Sequence, residues 1–129
     1  MSQSNLRSWK FFVAGVQHHN LKKCIDEMKE GDYLSLIPEP TNKYDTNAVR
    51  IEFIYQTIEG SIENIDGVEE EVDAEYDEVM IGYVPAKLSP MVTAAIITSK
   101  VTCQITKLDK QAKAWERIKV KIEEVKDNA

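Results

Sequence analysis

The sequence predicts an α+β domain built on a small, strongly curved antiparallel sheet or barrel, with about six strands and two short helices. Three observations support this fold class. Six segments have the apolar alternation or β-prone composition of strands, two segments carry helix signals, and most neighbouring strands lack a helical crossover. The 129 residues, 43% hydrophobic and 29% charged, suffice for one core. We therefore predict a single domain over residues 1–129, with its core in residues 10–125.

The first half of the chain predicts three strands and one helix. The strands are expected over residues 10–17, 33–37 and 48–55. Asn20 can cap a short helix over residues 21–29, where apolar side chains recur at helical spacing. Pro38 and Pro40 interrupt regular structure between the second and third strands.

The second half predicts three further strands and the second helix. These strands are expected over residues 79–84, 101–108 and 117–125. Gly82 marks a bulge or a close backbone approach. Ser89 and Pro90 predict a helix start, with the hydroxyl as cap, and the helix is expected to reach about Lys100. In the last strand Ile118, Val120 and Ile122 are expected to point inward.

The negative charge is concentrated in one segment. The formal net charge is −6, which taken alone argues against a nucleic-acid partner. Residues 57–79 hold ten acidic residues and no Lys or Arg, so the rest of the chain carries 12 acidic against 16 basic residues. We predict that this insert is a long solvated hairpin loop. A calcium site is the alternative, but no EF-hand pattern is present, and the insert could also shield a basic surface elsewhere.

Signatures of enzymes, metal sites and membrane spans are missing from the sequence. It contains no Gly-rich phosphate loop, G-x-S-x-G, H-E-x-x-H or C-x-x-C, so we expect no catalysis, cofactor or metal. Cys24 and Cys103 are expected in the core. No run of 18 apolar residues occurs, which predicts no membrane span. The polar start and the two cysteines favour a cytoplasmic protein.

The polar turn at residues 41–47 is the most informative segment. Its Asn42, Asp45 and Asn47 can all bond to the backbone, so the turn could be a simple connection between two strands. However, Tyr44 is a large aromatic residue in a segment that offers little to bury it against. An aromatic ring beside a carboxylate and two amides suits a nucleobase or sugar, with the carboxylate accepting a hydroxyl proton.

Four blocks of the sequence resemble the HIRAN domain over roughly residues 10–125. They are FFVAGVQHHN (11–20), EGD (30–32), EPTNKYDTNAV (39–49) and IGYVP (81–85), of which the third is the most specific. The resemblance implies an OB-like β-barrel with small helices. The family occurs N-terminally in SWI/SNF-type helicases with RING fingers, and as standalone proteins in bacteria and phages. The sequence has no helicase motifs, which indicates the standalone form.

The resemblance also implies a function, the capture of a free 3′ end of single-stranded DNA. In the best-understood members two aromatic residues stack on terminal bases and an Asp forms a hydrogen bond with the 3′-hydroxyl. Tyr44 would be one stacking residue, Asp45 the hydroxyl acceptor, and Asn42 part of the pocket wall. We therefore expect single-stranded DNA or DNA 3′ ends as the partner, in DNA repair or replication, together with a partner helicase or nuclease.

The resemblance also concerns four further positions of the DNA-binding site. His18 stands where the family's eukaryotic form has its second aromatic residue, and Gln17 stands at the position of an Arg. Lys87 is the nearest cation to the IGYVP block, and Trp115 is the candidate aromatic of the final loop. The Gln17–His18 departure and the acidic insert motivate an alternative, a protein-interaction or regulatory module that retains the barrel but has lost DNA binding.

Overall fold

Six strands form one antiparallel sheet in the computed structural model, which describes residues 6–16, 21–58, 61–63, 69–71 and 75–125. Their order is β1-β8-β7-β2-β3-β6, and β4 pairs with β5 in a separate two-stranded sheet. The strands are β1 (Ser8–Phe12), β2 (Tyr33–Pro38), β3 (Val49–Ile58), β4 (Ser61–Glu63), β5 (Glu69–Glu71), β6 (Glu75–Tyr83), β7 (Lys100–Leu108) and β8 (Ile118–Val125). The helices are α1 (Ser89–Thr98) and three single-turn 3₁₀ helices at Leu21–Lys23, Ile25–Glu27 and Ala114–Glu116.

The predicted six-stranded antiparallel sheet is confirmed, but the predicted OB-like barrel is supported only in part, because the sheet does not close. Its edge strands, β1 and β6, approach at a bridge where the backbone groups of Ala14 and Tyr83 exchange two hydrogen bonds of 2.9 Å. The strand predicted over residues 10–17 ends at Phe12. Gly15 then adopts φ 71°, which turns the chain away and prevents a longer ladder between the two edges.

The two predicted helices have different outcomes. Residues 21–29 form two 3₁₀ turns in place of one helix, with Cys24 and Met28 donating backbone hydrogen bonds three residues back. Met28 is extended, with ψ 146°, and the Lys29 N–H donates to Asp32 Oδ2 at 2.9 Å in place of a carbonyl four residues back, so an α-helix does not extend to residue 29. The later helix, α1, is confirmed and ends at Thr98. Ser89 does not cap it, since Leu88 is the cap residue. No helix in the described ranges is both long and apolar enough to cross a membrane.

The acidic insert is partly β-structure, which corrects the prediction of a loop over residues 57–79. β3 continues to Ile58 and β6 begins at Glu75, and these two residues are paired in the sheet. The β-prone residues Tyr55 and Ile58 favour the extended ladder despite the nearby charge. The insert therefore lengthens a hairpin, and β4 and β5 pair within it.

The core lies on one face of the sheet and under α1. The alternation predicted for β8 is confirmed, because Ile118, Val120 and Ile122 are all buried. Gly82 lies both at a bulge and at a close backbone approach, the two features that the sequence predicted as alternatives. The register shifts beside it, and a Cβ at this position would meet the Ala14 carbonyl oxygen and lie 2.6 Å from Val13 Cγ1. The bridge between the two sheet edges therefore depends on glycine here.

Candidate nucleic-acid interface

A cleft of about 620 Å³ lies where the edges of the sheet approach each other. Its walls come from three segments, the chain after β1, the turn before β3, and the end of β6 with the residues that follow. The lining residues are Ala14, Gly15, Thr41, Asn42, Lys43, Tyr44, Asp45, Ala48, Tyr83, Val84 and Ala86. The bridge between Ala14 and Tyr83 thus forms part of the cleft wall.

The Asn42 side chain holds the turn in shape. Its Oδ1 accepts hydrogen bonds from the backbone N–H groups of Tyr44 (2.9 Å) and Asp45 (3.1 Å). Its Nδ2 donates to Glu39 Oε1 at 3.0 Å. These three bonds use both ends of the amide, so the side-chain turn predicted from the sequence is confirmed. Asn42 therefore fixes the backbone that presents the next residues to the cleft.

The Asp45 carboxylate is held by two donors from different parts of the chain. Oδ1 accepts the backbone N–H of Asn47 at 2.8 Å, and Oδ2 accepts the Ser89 hydroxyl at 2.8 Å. Ser89 is fully buried at the start of α1 and also lies 3.0 Å from the carbonyl oxygen of Ala86. An ionised carboxylate has about four acceptor positions, so Asp45 keeps capacity for a further donor.

Tyr44 is the most exposed large hydrophobic side chain among the residues that the structure describes. It is 92% exposed although it belongs to a tightly bonded turn. A phenol ring left in water on a fixed backbone forms a platform on which a base or sugar can stack with little ordering cost. The hydrogen bonds of Asn42 set the position of this ring's backbone, and the ring lies one residue from the Asp45 carboxylate.

Glu39 supports the turn from behind. Its carboxylate accepts hydrogen bonds from Asn42, from the Tyr83 hydroxyl at 2.9 Å, and from Arg50 at 3.2 Å. Burial raises the pKa of Glu39, but the bonds from Asn42 and Tyr83 and the charge of Arg50 outweigh it, so its pKa lies below the ordinary value. Burial, followed by the hydrogen bond to Glu39, raises the pKa of Tyr83. The network therefore stays ionised at Glu39 and protonated at Tyr83 near neutral pH.

Comparison with known proteins assigns the domain. The family model of the HIRAN domain matches residues 6–125. This chain belongs to the HIRAN family. HIRAN is a binding domain known from nucleic-acid-binding contexts. The crystal structure of the HIRAN domain of human HLTF shares its fold, with a TM-score of 0.53 and 12% identity, over 91% of this chain and 74% of that one. No curated protein matches the chain.

The site residues predicted from the sequence of this HIRAN domain fall into three groups. Asn42, Tyr44 and Asp45 all line the cleft. Lys87 and Trp115 are exposed, and neither is among the lining residues, although Lys87 follows the lining residue Ala86. Trp115, 57% exposed, lies in the 3₁₀ turn before β8. The remaining two candidates, Gln17 and His18, lie outside the described residues.

Three supporting residues were missed by the sequence reasoning. Ser89 was expected only as a helix cap, and nothing in its neighbourhood signals Asp45, which precedes it by 44 positions. Glu39 and Tyr83 both belong to blocks that resemble the family, which was the available signal. Within the described ranges, no cluster of three or more His, Cys, Asp or Glu residues could hold a metal ion.

Proposed function

We propose that this HIRAN domain binds single-stranded DNA in the cleft and prefers a free 3′-hydroxyl end. The observation that carries the proposal is the Asp45 carboxylate, held by Ser89 and Asn47 next to the exposed Tyr44 ring. A carboxylate accepts a hydrogen bond from a hydroxyl and repels a phosphate, so it favours a 3′-hydroxyl over a 3′-phosphate.

The two cleft residues have separate tasks in this proposal. Tyr44 stacks on a base and contributes to binding of every strand, at about 1–3 kcal/mol per stacked base. Asp45 reads the end and contributes only when a hydroxyl is present. The cleft accommodates few nucleotides, so binding through the cleft is modest in strength.

The proposal is tested by fluorescence anisotropy with 5′-labelled oligonucleotides of one sequence that end in a 3′-hydroxyl or a 3′-phosphate. Tyr44→Ala should weaken both ligands by about five-fold to 150-fold, the equivalent of one lost stack. Tyr33→Ala is the matched control, because Tyr33 is also exposed, at 63%, but lies on β2 outside the cleft. Equal affinity for both ends contradicts end preference, and no binding at low salt contradicts DNA binding itself.

The cellular role we propose follows from the family's occurrence. A domain that captures a DNA 3′ end would serve DNA repair or replication, delivering that end to a helicase or nuclease partner. A pull-down with the purified domain, with and without a competing 3′-hydroxyl oligonucleotide, tests this. A partner retained equally by the Asp45→Asn variant would contradict delivery through the cleft.

The acidic insert supports a second candidate function, a regulatory module that docks a basic partner or occupies its own DNA site. The first half of β6 exposes Glu75, Asp77 and Glu78 together with Tyr76, which is 61% exposed. This combination of aromatic and acidic side chains is one that a basic protein surface can bind.

Shortening the acidic insert tests whether it occupies the DNA site. Ile58 and Glu75 are paired, so an Asn-Gly turn can replace residues 59–74 and remove seven acidic residues without opening β3 and β6. This pair lies eight residues, or about 26 Å of strand, from Tyr83 in the cleft wall. The Debye length at 0.15 M salt is about 8 Å, so DNA affinity should be unchanged there. A rise of ten-fold or more would show that the insert competes for the cleft.

A further inference from the structure

The face of the sheet that points away from the core carries a concentration of lysines on β1, β8 and β7. β8 alternates between buried and partly exposed residues, and the partly exposed set contains Lys119, Lys121 and Glu123. The register places the lysines of the two neighbouring strands on this same side. We call this surface the lysine face, and its members are Lys10, Lys100, Lys107, Lys119 and Lys121.

Two pairs of lysines stand directly opposite each other in the lysine face. Lys10 pairs with Lys121 across β1 and β8, and Lys107 pairs with Lys119 across β7 and β8, next to a register shift between Ile105 and Lys107. Directly opposed residues have Cβ atoms about 4.5–5.5 Å apart, and like charges at this position destabilise a sheet. A local arrangement that works against folding is typical of a functional surface.

The charge of the lysine face is largely uncompensated. Glu123 is the acidic residue in the same row of β8, and it forms an ion pair with Lys121 at 3.1 Å. Among the residues that the structure describes, Lys10, Lys107 and Lys119 form no ion pair. Lys119 lies with its Nζ 5.7 Å from the centre of the Phe12 ring, a cation–π contact that keeps its charge available.

The lysine face is continuous with the cleft. Phe12 pairs with Lys119 and ends β1, and Ala14, two residues later, lines the cleft. Two residues of chain span at most about 7 Å. The intervening Val13 donates its N–H to the Ile118 carbonyl at 2.9 Å, which holds this passage against the start of β8. A strand that leaves the cleft along this edge therefore meets Lys119 and Lys107 first.

We propose that the lysine face binds the phosphate backbone of the single strand whose 3′ end occupies the cleft, an inference that rests on the proposed function. The cleft reads the end, and the lysine face binds the nucleotides on its 5′ side. Lysines bind phosphates as point charges, without base recognition, so this second contact adds affinity without sequence preference.

The experiment compares a trinucleotide with a 15-mer that has the same three 3′-terminal bases and a free hydroxyl. Binding is measured between 0.1 and 1 M salt for the wild type and for Lys107→Gln/Lys119→Gln. The wild type should bind the 15-mer more tightly. For the 15-mer only, the slope of log affinity against log salt concentration should be smaller in magnitude by about 1.4 in the variant, because two phosphate contacts are lost. If the two affinities converge at 1 M salt, this corresponds to about 25-fold weaker binding by the variant at 0.1 M.

Two controls separate local from general effects of charge. Lys22→Gln removes one positive charge, as each substitution of the double variant does, but from the 3₁₀ turn Leu21–Lys23, which lies outside both the lysine face and the cleft lining. It should leave both oligonucleotides unaffected. Thermal unfolding of Lys107→Gln/Lys119→Gln should occur at the same temperature as in the wild type or higher, since the substitution relieves a repulsive pair.

The outcomes distinguish this inference from the proposed function. Equal wild-type affinity for trinucleotide and 15-mer, or an unchanged salt slope in the double variant, overturns the role of the lysine face and leaves end capture intact. A length-dependent loss in the double variant together with equal binding of 3′-hydroxyl and 3′-phosphate supports the face and contradicts end capture. If the wild type binds neither oligonucleotide but binds polyglutamate, both are overturned, and the face serves an acidic polypeptide.

Discussion

Asp45→Asn tests the assigned chemistry most directly, because it removes a charge and keeps the shape of the side chain. The asparagine oxygen can still accept the Asn47 N–H, as Asp45 Oδ1 does at 2.8 Å. The Ser89 hydroxyl can turn to the Ala86 carbonyl, which lies 3.0 Å away, and accept from the new amide. The turn therefore keeps its hydrogen bonds, and a loss of end preference can be attributed to the lost charge.

The expected magnitude follows from two contributions. A hydroxyl bonded to a charged acceptor contributes about 1.5–3 kcal/mol, against about 0.5–1.5 kcal/mol for a neutral acceptor, so the 3′-hydroxyl ligand loses about 1 kcal/mol or somewhat more. The carboxylate's repulsion of a 3′-phosphate is about 1 kcal/mol in a water-like medium at 4 Å, and the variant relieves it. The preference for a hydroxyl end should therefore fall by about 2 kcal/mol, or roughly 30-fold.

The assay is anisotropy with three matched oligonucleotides ending in 3′-hydroxyl, 3′-deoxy or 3′-phosphate. Asp32→Asn is the control, because the Asp32 carboxylate also accepts a turn N–H, that of Lys29 at 2.9 Å, but lies outside the cleft. Ser89→Ala keeps the charge while removing one donor, and should reduce the preference less than Asp45→Asn. If Asp45→Asn retains the wild-type ratio of the three affinities, the assigned role of the carboxylate is wrong.

Three further predictions concern the fold. Hydrogen bonds from Arg7 lower the pKa of Glu124 to about 2. The stability that this pair provides is therefore present above the ordinary carboxyl pKa and is lost as the pH falls towards 2. In urea unfolding, the stability of Glu124→Gln should depend less on acid pH than that of the wild type. Burial raises the pKa of the Cys103 thiol to about 12, so a disulfide reagent at pH 8 should modify it only on unfolding, and rapid modification of the folded protein would contradict its burial. Gly82→Ala should destabilise by about 1–3 kcal/mol in chemical denaturation, because its Cβ would meet the Ala14 carbonyl, and an unchanged midpoint would show that the bridge can shift.

The strands were predictable because their burial alternates locally. Burial in β8 has a strict two-residue period, and the first half of β3 alternates apolar and charged residues in the sequence, although its Glu52 is buried. The structure places both strands within a few residues of the predicted bounds. The open sheet was not predictable, because closure depends on how far β1 pairs with β6. That length is set by the turn at Gly15 and the close approach at Gly82, which involve residues about 70 positions apart. Alternation within a strand carries no information about such contacts.

Part of the candidate site could likewise be predicted from the sequence, and part could not. The polar turn with its aromatic residue identified Asn42, Tyr44 and Asp45, because local side-chain turns depend on neighbours in the sequence. The Ser89 hydroxyl that holds Asp45 comes from the start of α1, 44 positions away. Glu39 lies only three residues before Asn42, but the Tyr83 hydroxyl that bonds to Glu39 comes from the end of β6, again 44 positions away. A sequence pattern can therefore indicate which groups face a ligand, while the partners that hold them in place follow only from the fold.

Net charge is a poor guide to partners when the charges are segregated. The lysines lie on β1, β8 and β7, whereas the acidic insert extends from the Glu75 end of β6, eight residues along that strand from the bridge at Tyr83. Because screening at physiological salt acts over about 8 Å, a polyanion at the cleft is influenced by the nearest surface, not by the total of −6. The net charge affects the rate at which protein and DNA meet at low salt, where the acidic insert should slow association. The affinity for DNA at physiological salt should depend on the lysine face. Substitutions in the acidic insert should therefore change the association rate at low salt, and substitutions in the lysine face should change the affinity at physiological salt.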